Sequence, residues 1–172
     1  MRRGTGQGEP ISFGRAYAQS ETFRALFKDG MTLVEQTAAY LDGDGRAAAK
    51  ALTRPASIVY ATESMRLTTR LMQLASWLLL HRSVNEGDLT IDQAAKEKRK
   101  IKMDRPTTNM DGPCWEQLPE QFRKLVARSL ALQKRIERID SAIMEGQAGE
   151  REPSNPVAAR LHQLTEAFTK TG

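Results

Sequence analysis

Apolar residues recur at three- and four-residue spacing along three long stretches of the chain, and glycine or proline bounds each stretch. This spacing is typical of amphipathic α-helices. The first helix is predicted to begin after Ser20, a favourable N-cap residue, and to end at residues 42–45, Asp-Gly-Asp-Gly. A glycine in its interior, Gly30, predicts a close contact with another helix. Its apolar face consists of Phe23, Leu26, Phe27, Val34, Ala38 and Leu41.

The second stretch predicts the longest helix, from Thr53 to about Asn85, with Gly87 as its stop. Its apolar residues fall on two lines, which is more than one neighbouring helix would cover. We therefore expect this helix to be central and to take part in self-association. The first line is Ile58, Met65, Met72 and Leu79, and the second is Tyr60, Leu67, Leu71, Leu74 and Leu78.

Two further helices follow. Thr90 and Gln93 form a capping-box pattern that predicts a short helix to about Lys100, followed by an irregular segment over residues 104–118. From Pro119 the chain carries a heptad seam, which is typical of a straight helix packed lengthwise against others. The seam residues are Phe122, Leu125, Ser129, Leu132, Ile136, Ile139 and Ile143.

These elements predict an all-α protein, an antiparallel three-helix bundle with short accessory helices over residues 20–145. Residues 1–19 are expected to form a flexible N-terminal arm, and residues 146–156 have the composition of a linker. A short amphipathic helix is predicted after it. Because its apolar face is small, we expect it to form a mobile tail that binds a partner. That face consists of Val157, Leu161, Leu164 and Phe168.

Composition narrows the class of protein. The chain has 172 residues, of which 40% are hydrophobic and 27% charged, which suits one folded domain. The single cysteine, Cys114, excludes an intrachain disulfide and fits a reducing compartment. The longest apolar stretch, residues 71–80, is half the length of a membrane span, and no secretory signal follows the N-terminus. We therefore expect a cytoplasmic protein without a membrane partner.

The formal net charge is +5, and residues 96–105 hold six basic and two acidic residues. This segment is predicted to dock partner proteins. The alternative is a helical nucleic-acid-binding regulator that uses the same segment, although no aromatic residues alternate with the cations to stack on bases. The candidate cations are Lys98, Arg99, Lys100 and Lys102.

Candidate chemistry is sparse. A polar stripe on the central helix is interpreted as its solvated side, with a buried ion network or a partner-binding face as the alternatives. His81 and Cys114 are assigned packing roles. The sequence shows no paired carboxylates, no activated nucleophile and no metal-ligand spacing, so we predict no enzyme, no cofactor and no metal. The stripe consists of Glu63, Arg66, Arg70 and Gln73.

Two segments carry a resemblance. Residues 61–89, ATESMRLTTRLMQLASWLLLHRSVNEGDL, and residues 23–43, FRALFKDGMTLVEQTAAYLDG, resemble the regulator of CtrA degradation family. The resemblance continues through the loop around Trp115 and covers most of residues 20–172. It implies a three-helix bundle that dimerises and has a mobile C-terminal tail.

The resemblance also implies a function. Members of the family act as adaptors in cell-cycle proteolysis and help deliver substrates, including a master response regulator, to the ClpXP protease at the cell pole. In that scheme the adaptor binds a receiver-domain protein already attached to the protease and offers other surfaces to cargo. The family brings no catalytic residues, so the resemblance favours a non-enzymatic adaptor over a nucleic-acid-binding regulator.

Overall fold

The computed structural model describes residues 20–101, 103 and 108–151. Within these residues the fold is all-α, as predicted, and contains no strand. The predicted N-terminal arm and the last predicted helix lie outside the described residues. The elements are α1 (Glu21–Asp42), α2 (Asp44–Ala49), α3 (Arg54–Glu86), α4 (Ile91–Lys98), a 3₁₀ turn (Trp115–Gln117) and α5 (Glu120–Arg151).

Capping residues set the helix ends, as their local signals predicted. The side chains of Ser20 and Thr53 each accept a hydrogen bond from a backbone amide in the first turn of α1 and α3. Gly87 ends α3 with φ of 82°, a left-handed conformation that glycine adopts without a steric penalty. Thr90 and Gln93 form both hydrogen bonds of a capping box at the start of α4.

Helix α5 is longer than predicted. It continues to Arg151, so residues 146–151, which were predicted to begin the linker, are helical. The two glycines in this stretch each cost about 1 kcal/mol relative to alanine, but good helix formers separate them. The first proline, Pro153, comes two residues beyond the end of the helix. Helix α5 thus extends over the first six residues of the predicted linker.

The first long helix runs antiparallel to both of the others. Near its start, the ring of Phe23 lies 6.5 Å from that of His81 at the far end of α3. Near its other end, Gln36 accepts a hydrogen bond from Arg128, which lies early in α5. These contacts confirm the predicted antiparallel packing for α1.

Helices α3 and α5, in contrast, run parallel. The Tyr60 ring lies 4.6 Å from that of Phe122, and further along both helices Trp77 donates a hydrogen bond to Asp140. An antiparallel bundle of three helices must contain one parallel pair, and in this fold the parallel pair is α3 and α5, which follow each other as long helices. The physical reason is the length of the return connection, residues 87–119: in its described part Thr108 contacts Glu63 and, nearer α5, Gln117 contacts Thr53 at the start of α3.

The core forms where the three long helices meet. The heptad seam of α5 faces inward, with five of its seven residues buried and Leu132 and Ile139 half-buried. At Gly30 an added Cβ would overlap Leu78 Cδ1 and would lie 3.6 Å from Leu132 Cδ2, which confirms the predicted close approach of helices. The largest fully buried side chains are Trp77, Phe122, Leu26, Leu67, Leu74, Leu78 and Ile136.

Candidate interaction surfaces

The polar stripe of α3 is buried at Glu63 and Arg70 and half-buried at Arg66 and Gln73. The side chains of Glu63 and Arg70 are only 4% and 6% exposed, so the interpretation of this stripe as solvated is wrong. The alternative of a buried ion network is correct. A solvated stripe would have marked the outer side of α3, whereas these residues face α5 and the return connection.

Hydrogen bonds link the buried cluster to both neighbours. Arg70 donates to Ser129 Oγ on α5 at 2.8 Å and to Thr108 Oγ1 in the return connection at 2.9 Å. The Thr108 hydroxyl in turn donates to Glu63 Oε2 at 2.8 Å. Arg66 Nη1, half-exposed, donates to the other Glu63 oxygen at 2.5 Å. Arg70, Glu63, Thr108, Ser129 and Arg66 are hereafter called the Arg70 cluster.

The charges of the Arg70 cluster compensate one another in part, since one carboxylate, Glu63, faces the two guanidinium groups of Arg66 and Arg70. Burial lowers the pKa of Arg70, and the carboxylate of Glu63 opposes this shift. A guanidinium remains protonated under these conditions because its ordinary pKa lies so high. The cluster is therefore a structural tie that holds Thr108 against the bundle, and its charges are not offered to a partner.

A second polar tie lies nearer the end of α3. Asp140 Oδ1 accepts a hydrogen bond from Trp77 Nε1 at 2.9 Å and forms an ion pair with Lys98 Nζ at 2.6 Å. Burial lowers the pKa of the adjacent His81 to about 4, with Asp140 raising it and Lys98 lowering it further. The His81 ring packs 4.0 Å from that of Trp77. His81 is thus a neutral packing residue at neutral pH.

The candidate cations of residues 96–105 have different environments in the structure. Lys98 is committed to Asp140 and is only 24% exposed, and Lys100 pairs with Glu97 at 2.7 Å. Arg99 is exposed at the end of α4. Lys102 lies outside the described residues, as do the four apolar tail candidates Val157, Leu161, Leu164 and Phe168.

The two apolar lines of α3 have different environments. The second line is buried in the core, whereas every member of the first line is exposed. Between the large residues lie Ala61, Thr68 and Ala75, so this face alternates large and small side chains at heptad spacing. We call it the α3 seam. Its large residues are Ile58, Met65, Met72 and Leu79, exposed by 63%, 73%, 66% and 46%.

Other kinds of site find no support in the described part of the chain. No group of three or more histidine, cysteine, aspartate or glutamate side chains in it could hold a metal ion. None of its helices is long and apolar enough to cross a bilayer. Cys114 is half-buried and adopts φ of 67° immediately before the 3₁₀ turn.

The described residues define a small all-α bundle protein in which the α3 seam is an apolar helix face that no other described element covers. The family described as "Protein of unknown function (DUF1465)" matches residues 14–168, and the chain belongs to this family. None of the curated proteins matches the chain.

Among solved structures, the chain is similar to the crystal structure of RcdA from Caulobacter crescentus CB15. The two are 43% identical, the match covers 75% of this chain and 96% of that chain, and the TM-score is 0.61. RcdA is the regulator of CtrA degradation, so the resemblance seen in the sequence is confirmed.

We expect Arg70→Leu to destabilise the protein by about 1–3 kcal/mol, because the buried hydroxyls of Ser129 and Thr108 would lose their donor, while Glu63 keeps its ion pair with Arg66. Urea unfolding followed by circular dichroism measures this change. Arg82→Leu, on the same helix, removes a half-exposed arginine and should cost at most about 1 kcal/mol. Equal losses of stability in the two variants would contradict a structural role for the Arg70 cluster.

We also expect stability to fall below neutral pH because of His81. Its folded-state pKa, about 4, lies below the ordinary value of 6.5, so the unfolded chain binds the proton first as the pH falls. This stability is present above pH 6.5 and is lost towards pH 4, about 2 kcal/mol of it between pH 7 and 5. Urea unfolding at both pH values measures it.

The control for this pH dependence is the pair of single variants His81→Phe and His162→Phe. His81→Phe keeps an aromatic ring beside Trp77 but removes the titrating group, so it should flatten the decline. His162→Phe should leave the decline unchanged. The attribution to His81 is wrong if both variants show the full decline.

Proposed function

We propose that this protein is a non-enzymatic proteolysis adaptor that helps deliver cell-cycle regulators, CtrA among them, to the ClpXP protease. The observation that carries the proposal is the 43% identity to RcdA across 96% of that chain. In this function the protein works in the cytoplasm at the cell pole and binds a receiver-domain protein attached to the protease.

An adaptor accelerates degradation through proximity. Holding cargo beside the protease raises its effective concentration, which requires two binding surfaces but no catalytic group. We assign one of these surfaces to the exposed basic side chains after α4, with Arg99 foremost because it is exposed. The other is the apolar face of residues 157–168, beyond the described residues. Nucleic-acid binding by residues 96–105 is the weaker alternative, since two of the cations there are paired with carboxylates.

We further propose a homodimer formed through the α3 seam. From Ile58 to Leu79 the seam extends about 30 Å at 1.5 Å per residue, and none of its seven residues is charged. Burying each large side chain contributes about 1.5–3 kcal/mol, so four from each copy can offset the entropic cost of association. The same helix face on both copies gives a two-fold symmetric contact, the commonest form of dimer.

Reconstituted degradation tests the adaptor function. With purified ClpXP, the receiver-domain protein and CtrA, adding the full-length protein should increase the rate of CtrA loss. Deleting residues 152–172 should keep the melting temperature within a few degrees but reduce that increase, because the tail is assigned to partner binding. A rate that is unchanged by the full-length protein would refute the adaptor function.

Light scattering tests the dimer. At about 50 μM the protein should have twice the monomer mass of 19.2 kDa. The double variant Met65→Asp, Met72→Asp should be monomeric with an unchanged helix content, since both side chains are exposed in the single chain. Met144→Asp changes another exposed methionine, on α5, and should remain dimeric. Dissociation of all variants alike, or of none, would show that the α3 seam is not the interface.

A further inference from the structure

A groove lies between α1 and α5, on helices other than the one that carries the α3 seam. Its volume is about 580 Å³. Leu33 and Leu132 give it an apolar floor, and Ala131 leaves its α5 side open. Three basic side chains and one acidic side chain also line it: Lys28, Arg128, Arg135 and Asp29.

The basic side chains of this groove are weakly compensated. Arg128 Nη1 donates to the neutral amide oxygen of Gln36 at 2.7 Å, so its charge is not cancelled. Arg135 lies 4.0 Å from Asp29, and both side chains are about half or more exposed. An exposed ion pair at that distance contributes little. Among the described residues, no ion pair involves Lys28.

The positive charge extends along α5 beyond the groove. Residues 120–138 hold six basic and two acidic residues, as large an excess as in residues 96–105. Lys124, Arg128, Arg135 and Arg138 recur at spacings of four, seven and three residues, which places them along one side of α5. All four are exposed, although Lys124 is paired with Glu120. A row of cations beside an apolar floor is complementary to a ligand that carries carboxylates beside an apolar face.

We propose that the groove between α1 and α5 binds an acidic amphipathic helix of a partner protein. A helix lying between two helices can place apolar residues on Leu33 and Leu132 and carboxylates opposite Arg128 and Arg135. The groove is lined by no aromatic side chain that could stack on a base, and its floor is apolar, which favours a protein over a nucleic acid. The inference names the chemistry of one partner and rests on the proposed adaptor function.

The probe is a fluorescein-labelled synthetic peptide of about 15 residues, with leucines at helical i, i+3, i+4, i+7 spacing and glutamates elsewhere. Its anisotropy is measured with the full-length protein and without protease or CtrA. Ala131→Glu places a carboxylate in the groove at an exposed helical position and should weaken binding by about tenfold or more. Ala95→Glu makes the same change at an exposed position on α4, which does not line the groove, and should alter binding by less than about twofold.

Specific outcomes would overturn the inference. If both variants weaken binding equally, or if a peptide with the same residues in scrambled order binds equally well, the protein recognises only the net charge of the peptide. Displacement of the peptide by a DNA duplex at lower concentration than by unlabelled peptide would assign the face to nucleic acid. If the peptide binds the groove but the protein does not accelerate CtrA degradation, only the adaptor function is refuted. If the protein accelerates CtrA degradation but the peptide does not bind the groove, only this inference is refuted.

Discussion

Arg70 joins three parts of the chain that the backbone keeps far apart. From its place on α3 it donates hydrogen bonds to Ser129 on α5 and to Thr108 in the return connection. The arrangement matters because α3 and α5 run parallel, so the chain must come back along the whole bundle before α5 can begin. At the end of the return connection, just before α5, Gln117 accepts a hydrogen bond from Thr53 at the start of α3 at 3.1 Å. Trp115 and Leu118 in the same segment are buried.

The buried polar contacts also fix the lengthwise position of α5 against the other helices, which the apolar core alone does not determine. Hydrophobic contact is non-directional, and a heptad seam presents similar side chains every seven residues, so α5 could be displaced by one heptad with little loss of burial. Hydrogen bonds to Ser129 and Asp140 exist in one register only. A buried pair seldom adds net stability over well-packed apolar residues, but leaving its charges unpaired costs several kcal/mol. The Arg70 cluster therefore selects one alignment of α5 among several that the core would tolerate.

The sequence predicted what local interactions determine. Ser20, Thr53 and Gly87 set helix ends through hydrogen bonds within one turn, and a reader of the sequence sees all the atoms involved. The direction of α5 depends instead on the path of a long connection. The end of α5 was misplaced for a related reason: glycine lowers helix propensity only modestly, and neighbouring residues decided the outcome.

The candidate surfaces were predictable only in part. The two apolar lines of α3 were recognised from the helical period, but the sequence analysis did not assign which of them is buried. Burial of Glu63 and Arg70 was missed, although the heptad seam contained a signal for it. Ser129 is the one polar residue in that seam, and a hydroxyl at a core position needs a polar partner from a facing helix.

The charge of a sequence segment was the least reliable guide to an interaction surface. Residues that are consecutive in sequence do not all lie on the same surface of the folded protein. Two cations of residues 96–105 are paired with Asp140 and Glu97, so the excess counted there is partly cancelled in the fold. On α5, Arg123 and Lys124 are likewise paired with carboxylates, but Arg128 donates to a neutral amide, and it lines a groove whose apolar floor is formed by two helices that are distant in sequence. Recognition by charge depends on potentials at a shared surface, and such a surface is created only by packing. The basic side of α5, joined to α1 by the bundle, is therefore better placed to receive an acidic partner than the run of lysines that the sequence displays most openly.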